Sequence, residues 1–343
     1  MRIAITLSGG VDSTFAALLL KEAGHDLIGV HLDLFPSSRN LEPLYQTAKF
    51  LEIPLQIIDL KDYFQKTIIQ PYRASYLAGE TPNPCVRCNA LIKFGALWDL
   101  LKPYKIEGLA SGHYARLRKD RDSGLWKLLK GQDPKKDQSY YLHRLSQSQM
   151  GHLLFPLGAW KKEDVRREVL AQNIPIAFPE ESQEVCFIGK EGYRVYLEKH
   201  AGEGLSGEGD IVNLEGRVIG RHKGIHRYTI GQRQGMGIPG PEPYYVTGIR
   251  KDKNQIVLGP KRSLFRDHLL TRDFHWIIPP PSSGEIRAEV KLRYRNPGCP
   301  ARLIWRDPKE VEIFLDQPQA AITPGQAAVA YVGEEMLGGG WIV

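Results

Sequence analysis

Apolar and polar residues are arranged in alternating blocks over the first third of the chain. A short apolar run at residues 2–7 leads into a turn with two glycines and then into the apolar segment 15–20, which predicts a strand, a tight turn and a helix. Blocks of the same kind follow, with strand patterns at 26–32, 55–58 and 108–110 and helical patterns at 42–51 and 90–101. This order predicts an α/β fold with a doubly wound parallel sheet, whose ligands bind at the carboxyl ends of the strands.

The pattern changes twice in the rest of the chain. Residues 145–200 are mainly helical, whereas from about residue 205 glycines become frequent and short alternating runs replace the helical period. Residues 285–295 alternate between apolar and polar positions, which predicts a half-buried strand with a basic outer face. Strand patterns at 301–305 and 311–315 then indicate a small β-barrel. We therefore predict three domains, at residues 1–204, 205–270 and 271–343.

Composition sets the broad class of the protein. The 343 residues are 42% hydrophobic and 25% charged, as in ordinary globular proteins. No stretch reaches the roughly 18 consecutive apolar residues of a membrane-spanning helix, and Met1 leads directly into the first strand, so we expect no membrane partner and a cytoplasmic location. The formal net charge of +7 is compatible with a polyanionic partner, although this signal is weak by itself.

The most specific motif is Ser-Gly-Gly-Val-Asp-Ser at residues 8–13. Its two glycines let the main chain approach a ligand closely, and the N–H groups at the start of the next helix point into the turn, which suits a phosphate. The Gly-Lys-Ser/Thr ending of a Walker A loop is absent. The motif instead resembles the pyrophosphate loop of enzymes that cleave ATP between its α- and β-phosphates. A glycine turn without function is the alternative, and the agreement of six consecutive positions disfavours it.

The chain has four cysteines, Cys85, Cys88, Cys186 and Cys299. They are too few for a disulfide scaffold in a chain of this length, and the Cys-x-x-Cys pair indicates metal binding or redox chemistry. The proline-rich segment 81–89 predicts a rigid loop beside a helix N-terminus, where the helix dipole and Arg87 would lower the thiol pKa. Cys186, within segment 182–189, is predicted to lie where a loop meets a strand. Cys299 stands alone, and we expect an unreactive buried thiol there.

Together these motifs resemble the tRNA-uridine 2-sulfurtransferase (tRNA 2-thiouridylase) family, in segments that extend to near Gln326. The most specific shared segment is residues 220–233, Gly-Arg-His-Lys-Gly-Ile-His-Arg-Tyr-Thr-Ile-Gly-Gln-Arg. Further similar segments are residues 111–116, 136–142 and 153–158. The resemblance implies a nucleotide-binding catalytic domain, a central adapter domain and a tRNA-binding β-barrel. It also implies that ATP drives replacement of the carbonyl-2 oxygen of the wobble uridine by sulfur, in tRNAs for Lys, Glu and Gln.

The resemblance also assigns roles to individual residues. Cys88 and Cys186 are the implied catalytic pair, in which Cys186 carries a persulfide and Cys88 assists release. Asp12 belongs to the same catalytic set and is suited to hold Mg²⁺. The implied ATP contacts are Thr6, Leu7, Ser8, Gly9, Gly10, Val11, Asp12, Ser13, Leu32 and Gly112. The implied tRNA contacts are Asn83, Pro84 and Cys85 at the target base, and His113, Lys136, Asp137, Gln138, Arg293, Tyr294 and Gln326 elsewhere.

The sulfur chemistry stays open at this level. The implied partner besides tRNA is a persulfide-donating sulfur-relay protein or a cysteine desulfurase. Two routes fit the thiols. In the first, Cys88 and Cys186 close a disulfide in each turnover while Cys85 lines the base pocket. In the second, the three thiols ligate a [4Fe–4S] cluster whose remaining iron is open to a sulfide.

Other function classes compete with this reading. Another pyrophosphate-loop enzyme is one, either an amidotransferase synthetase or a tRNA thiolase of the 4-thiouridine or 2-thiocytidine type. A non-catalytic tRNA-binding sulfur carrier is another, and the intact loop together with three thiols disfavours it. His222 and His226 have the i, i+4 spacing of a metal pair, but without helical periodicity we expect them to pack on RNA or on the first domain. The basic stretch 217–233 suits phosphate contact.

Overall fold

A computed structural model describes residues 1–36, 40–178, 185–189, 191–200, 204–240 and 242–343. The strands of its first part are β1 (Arg2–Thr6), β2 (Asp26–Asp33), β3 (Leu55–Asp59), β4 (Gly108–Ala110), β5 (Ala115–Lys119), β6 (Trp126–Lys130) and β7 (Leu153–Leu154). Five of them pair in parallel in the order β3-β2-β1-β4-β7, which confirms the predicted sheet. The strand order reverses between β1 and β4, the position at which open α/β sheets bind their ligands.

Nine α-helices lie in the described residues: α1 (Val11–Glu22), α2 (Glu42–Phe50), α3 (Lys61–Phe64), α4 (Gln70–Leu77), α5 (Pro84–Cys88), α6 (Leu97–Leu101), α7 (Gln147–Met150), α8 (Lys162–Ala171) and α9 (Gly192–His200). Two π-helical segments, Gln65–Ile69 and Asn89–Ala96, join α3 to α4 and α5 to α6. Short 3₁₀ turns occupy Lys102–Tyr104, Ser139–Leu142, Pro156–Ala159, Ile225–Arg227, Lys251–Lys253 and Lys261–Leu264. None of the described helices is long and apolar enough to cross a membrane.

The helix that carries the Cys-x-x-Cys pair begins earlier than predicted. The sequence pattern predicts a loop over 81–89 and a helix from Ala90, but the helix starts at Pro84, so Cys85 and Cys88 lie in its first turns. A proline suits the first helical position because it has no N–H to leave unpaired and its φ is already helical. The two thiols therefore sit three residues apart on a helix rather than in a loop.

Side-chain alternation along β1 explains the layers on both faces of the parallel sheet. Ile3 and Ile5 join the core that contains Phe15 of α1, while Ala4 joins a second core that contains Phe94. A parallel sheet that is covered on both faces needs apolar side chains on both faces, and β1 supplies them. The second core continues into the C-terminal part of the chain through Tyr331 and Trp341, so the first domain and the barrel share apolar packing.

The middle part is a four-stranded sheet. Its strands are β8 (Gly209–Val212), β9 (Val218–His222), β10 (Tyr245–Arg250) and β11 (Gln255–Gly259), in the order β10-β11-β8-β9. Helix α9 connects it to the first domain, because Tyr193 stacks on Tyr76 and Glu198 pairs with Arg227 at 2.6 Å. His226 is buried 3.6 Å from the same glutamate, so it packs against α9, which itself packs on the first domain.

The C-terminal part is a closed six-stranded barrel. Its strands are β12 (Phe265–Trp276), β13 (Glu285–Lys291), β14 (Cys299–Trp305), β15 (Val311–Ala320), β16 (Ala327–Val332) and β17 (Glu335–Ile342). Pairing of β12 with both β15 and β17 closes the ring, and the predicted domain boundary at 270/271 falls inside β12. The predicted strand 285–295 ends at Lys291, so Arg293 and Tyr294 lie beyond its end. The β5–β6 hairpin extends the same sheet through a pairing of Leu129 with Glu335.

Candidate nucleotide and thiol site

The glycine loop lies at the carboxyl end of β1 and is held by its own hydroxyl groups. Ser8 Oγ and Ser13 Oγ are 3.0 Å apart, and Ser13 Oγ donates to the Gly10 carbonyl at 3.1 Å. Gly9 has φ of 82°, which favours glycine there. Gly112, at the carboxyl end of β4, packs directly against this loop: a Cβ at Gly112 would lie 2.8 Å from the carbonyl carbon of Asp12. The two strand ends therefore meet, as expected from the sequence.

Gly112→Ala should weaken ATP binding. The added methyl group would meet backbone atoms of the loop, so the loop must shift, and overpacking of this kind costs about 1–3 kcal/mol, equivalent to about 5- to 150-fold in affinity. Isothermal titration with ATP and Mg²⁺ measures the change. The matched control is Gly207→Ala, because a Cβ at Gly207 has no atom within 4 Å among the described residues. Equal ATP affinity in both variants would contradict the prediction.

Asp12 is engaged by two side chains that the sequence analysis did not identify. Lys162 Nζ lies 2.6 Å from Asp12 Oδ1, and the Tyr114 hydroxyl donates to the same oxygen at 2.7 Å. The Lys162 side chain is only 4% exposed, whereas that of Asp12 is 34% exposed. The backbone N–H of Lys162 donates to the Asp133 carboxylate at 3.0 Å, which fixes the start of α8. A buried cation thus lies against the pyrophosphate loop, 150 residues away from it in sequence.

The three thiols Cys85, Cys88 and Cys186 are neighbours. Negative charge on Cys186 or Cys85 raises the pKa of Cys88, and negative charge on Cys85 raises the pKa of Cys186. All four cysteines of the chain are free thiols. Phe178 donates its N–H to the Gly9 carbonyl at 2.8 Å, so the chain contacts the glycine loop at this residue. The predicted positions 182–184 lie outside the described residues.

The prediction that Cys85 and Cys88 have lowered pKa values is wrong. Burial raises the pKa of Cys88 to about 12 and that of Cys186 to about 11, and it raises the pKa of Cys85 as well. Cys186 is exposed to solvent, whereas Cys88 is buried. Desolvation of the thiolate outweighs the favourable helix end.

The cation that faces the thiols is Lys93, not Arg87. Lys93 lowers the pKa of all three thiols against the larger effect of burial. It lies five residues after Cys88 in the π-helical segment, whose wider turn brings residues five apart to one face. Arg87 instead lies over the ring of Trp341, with its guanidinium carbon 5.5 Å from the ring centre. No pattern in the sequence favoured Lys93 over Arg87, because the π-helical turn was not predicted.

A preformed metal site is not present in the part of the chain that the structure describes. There, no group of three His, Cys, Asp or Glu side chains has the spacing of metal ligands. Within the described residues, the thiols influence one another but do not form a ready ligand set for a cluster, and His222 and His226 have no third ligand with metal-binding spacing.

Several of the predicted tRNA contacts come together beside the thiols. Tyr294 packs on Tyr141 with ring centres 4.6 Å apart, and the Cys85 thiol is close enough to Tyr141 to raise the pKa of its hydroxyl, after the larger effect of burial. Asn83 hydrogen-bonds the Tyr140 hydroxyl. An aromatic surface suited to stacking on a base thus borders the predicted base-contact segment. Tyr141 lies in the predicted aromatic segment 136–142 but was not singled out.

Two other predicted tRNA-contact residues form hydrogen bonds or ion pairs within the protein. Asp137 is buried, accepts from the N–H groups of Gly131 and Ser139 at 3.0 Å, and pairs with Lys291 Nζ at 3.2 Å. Gln138 accepts from the Tyr114 N–H at 3.0 Å. The carboxylate of Asp137 therefore ties the first domain to the barrel.

The remaining predicted residues border the two domains or the sheet. Gln326 donates to the Thr81 carbonyl at 2.8 Å and so links the barrel to the base-contact segment. His113 hydrogen-bonds Ser111 Oγ at 2.8 Å, and burial lowers its pKa well below the ordinary value, which keeps the ring neutral. Leu32 is half-buried near the end of β2. Arg293 is exposed and donates to Asn296 at 2.6 Å.

A glycine loop at the switch point of a doubly wound sheet, three neighbouring thiols in the same domain and an aromatic surface beside Cys85 are features of a nucleotide-dependent enzyme of sulfur chemistry. Three family models match the chain: a tRNA methyl transferase HUP domain over residues 1–190, a tRNA methyl transferase PRC-barrel domain over 194–260, and an aminomethyltransferase β-barrel domain over 266–342. They cover nearly the whole length and mark the same three parts as the structure.

Curated relatives named tRNA-specific 2-thiouridylase are similar over almost the full chain. The protein of Desulforudis audaxviator is 41% identical over 340 residues, covering 99% of this chain and 98% of its own. That of Geotalea uraniireducens is 40% identical, covering 99% and 94%. Among solved structures, the predicted subunit of a tRNA methyltransferase from Methanocaldococcus jannaschii covers 50% of this chain and 76% of its own, with 20% identity and a TM-score of 0.33, too low to define the fold.

The chain belongs to the tRNA-specific 2-thiouridylase family. This membership confirms the family expected from the sequence and, with it, the enzyme class of tRNA-uridine 2-sulfurtransferase and the use of ATP.

Proposed function

We propose that this protein catalyses the ATP-dependent 2-thiolation of the wobble uridine in tRNAs for Lys, Glu and Gln. The observation that carries the proposal is one domain with both a pyrophosphate-type loop at the strand-order reversal of its sheet and three thiols that lie near one another. The matching family models are named for methyl transfer and the curated relatives for thiolation. Methyl transfer requires neither an adenylating loop nor neighbouring thiols, so the site favours thiolation.

The first step activates the base. An amide-like oxygen is a poor leaving group, so the carbonyl-2 oxygen attacks the α-phosphate of ATP, and pyrophosphate departs. The N–H groups of residues 8–13 and the ammonium of Lys162 are placed to stabilise the negative charge of the leaving group. Asp12, the carboxylate of the loop, fits as one ligand of Mg²⁺, which neutralises phosphate charge when bound.

The second step transfers sulfur. A persulfide on Cys186, delivered by a sulfur-relay protein or a cysteine desulfurase, attacks carbon 2 through its terminal sulfur, and AMP leaves. Cys88 Sγ then attacks Cys186 Sγ and breaks the sulfur–sulfur bond, and the Cys88 proton passes to the departing base, which releases 2-thiouridine and forms a Cys88–Cys186 disulfide. An external dithiol reduces this disulfide before the next turnover. The proximity of the two thiols and the presence of Lys93 support this order of events.

The alternative is the predicted [4Fe–4S] cluster on Cys85, Cys88 and Cys186. We derive no step through it, because these side chains do not have metal-ligand spacing in the described part of the chain. Anaerobic reconstitution with iron and sulfide separates the two routes. A protein that binds four irons and thiolates only in that form supports the cluster, whereas equal thiolation by the iron-free protein from a persulfide donor supports the disulfide route.

The function itself is tested with unmodified tRNA, Mg-ATP and a persulfide donor. We expect 2-thiouridine at the wobble position, detected by mass spectrometry of digested tRNA, with AMP and pyrophosphate formed in equal amounts. Formation of 4-thiouridine or 2-thiocytidine instead would favour another pyrophosphate-loop tRNA thiolase. Binding of tRNA with no AMP release would favour a sulfur carrier.

A further inference from the structure

A basic pocket lies where the first domain meets the barrel. It is a small pocket with a cavity volume of about 50 Å³, and its walls include Glu80, Asn83, Pro84, Arg87, Arg272 and Trp341. The pocket is separate from the pyrophosphate loop, none of whose residues lines it. None of the roles assigned above uses Arg87 or Arg272. We call it the junction pocket.

The charges around the junction pocket do not cancel. Arg272 pairs with Glu80 at 2.8 Å, and the nearby Arg144 pairs with Asp273 at 2.8 Å. Arg87 has no carboxylate within 4.0 Å in the described part of the chain, and its guanidinium is held over the Trp341 ring. Burial lowers the Arg87 pKa. The positive charges of Arg144 and Arg272 lower it further, and Asp273 and Glu80 act in the opposite direction, so Arg87 lies within electrostatic range of both other guanidinium groups. An anion in the pocket would relieve the repulsion that Arg87 experiences from them.

The position of the pocket identifies the anion. Asn83 and Pro84, which are predicted to contact the target base, also form part of the pocket wall. Gly325, another wall residue, precedes the predicted tRNA contact Gln326, whose side chain reaches back to Thr81. A nucleic-acid strand that presents a base to the thiols must continue past this pocket.

We propose that the junction pocket binds a backbone phosphate of the nucleotide next to the target uridine, with Arg87 as its main ligand and Arg272 as the second. This inference rests on the proposed function, because it takes tRNA as the substrate. Guanidinium groups bind phosphate oxygens through two parallel hydrogen bonds, and the Trp341 ring keeps the Arg87 group oriented for such contact. The contact holds the strand in register and carries no base specificity.

The test compares three single variants in binding unmodified tRNA over a range of salt concentrations. Arg87→Gln should weaken binding about 5-fold and lower the slope of log affinity against log salt by about one unit. Arg87→Lys should keep the slope because it keeps the charge. Lys49→Gln, at an exposed lysine of α2, is the matched control for loss of one positive charge and should change neither affinity nor slope.

Each other outcome overturns the inference. An unchanged slope in Arg87→Gln, with melting temperature equal to that of the unaltered protein, excludes a phosphate contact. Binding of inorganic phosphate that depends on Arg87, with an unchanged tRNA slope, indicates a free-anion site instead. Thiolation by the unaltered protein is measured in parallel: its absence counts against the proposed function, whereas normal thiolation with unchanged tRNA binding by Arg87→Gln counts against the junction pocket alone.

Discussion

Cys186→Ser is expected to lower 2-thiouridine formation by more than about 1,000-fold while Mg-ATP still binds. Removal of a covalent nucleophile leaves only the rate that binding and charge stabilisation can supply. Cys186 is the solvent-accessible thiol of the three, so it is the one that a donor protein can reach. A serine hydroxyl cannot carry a persulfide. Mass spectrometry of digested tRNA measures the product, and titration with ATP measures binding.

Two further cysteine variants sharpen this experiment. Cys88→Ser should also abolish thiolation in both routes, whereas Cys85→Ser should retain most activity in the disulfide route and lose it if a cluster is required. Cys299→Ser is the matched control, because this buried thiol lies in β14, packs in the barrel core and donates to the carbonyls of Pro300 and Gln317. Full 2-thiouridine formation by Cys186→Ser would remove Cys186 from the chemistry.

Local patterns were enough to predict the sheet and the ATP loop. The apolar run of β1, the glycines after it and the strand at 108–110 each have their signal within a few residues, and the structure places them together at the strand-order reversal. The parallel topology follows from the alternation of strands and helices. The β5–β6 hairpin was not predicted, and neither was β7, which has only two residues. The attachment of the hairpin to the barrel could not be predicted, because the pairing of Leu129 with Glu335 joins residues far apart in sequence.

Properties that depend on burial could not be predicted from sequence. The helix end and the nearby Arg87 indicated lowered thiol pKa values, but the packing of Cys88 among Ile92 and Phe187 raises them. The burial of Asp137 could not be predicted either. It is a polar residue in a basic segment, and its carboxylate is buried against Lys291. Lys162 resembles its exposed neighbour Lys161 in sequence, and only the fold distinguishes the two.

The buried position of Lys162 leads to the second prediction of a large effect. Lys162→Met should lower the rate of ATP-dependent activation about 100-fold. Loss of one preorganised donor to developing charge typically costs about 10²–10³-fold in rate, and Lys162 is the buried cation beside the pyrophosphate loop. Methionine fills similar space without charge. Breaking a fully buried ion pair costs about 3–5 kcal/mol of folding stability, but Asp12 is one-third exposed, so water offsets part of that cost.

Release of pyrophosphate in the presence of tRNA measures the activation step without any sulfur transfer. Lys161→Met is the matched control, since its side chain is exposed on the same helix start, and it should behave as the unaltered protein. Asp12→Asn changes the other partner. The amide keeps an oxygen for Lys162 and Tyr114 but loses the charge that Mg²⁺ requires, so pyrophosphate release should fall. The thermal midpoint should fall as well, because the buried Lys162 ammonium loses the counter-charge of Asp12. If Lys162→Met folds, binds tRNA and releases pyrophosphate at the rate of Lys161→Met, then Lys162 only orders Asp12 and takes no part in stabilising the leaving group.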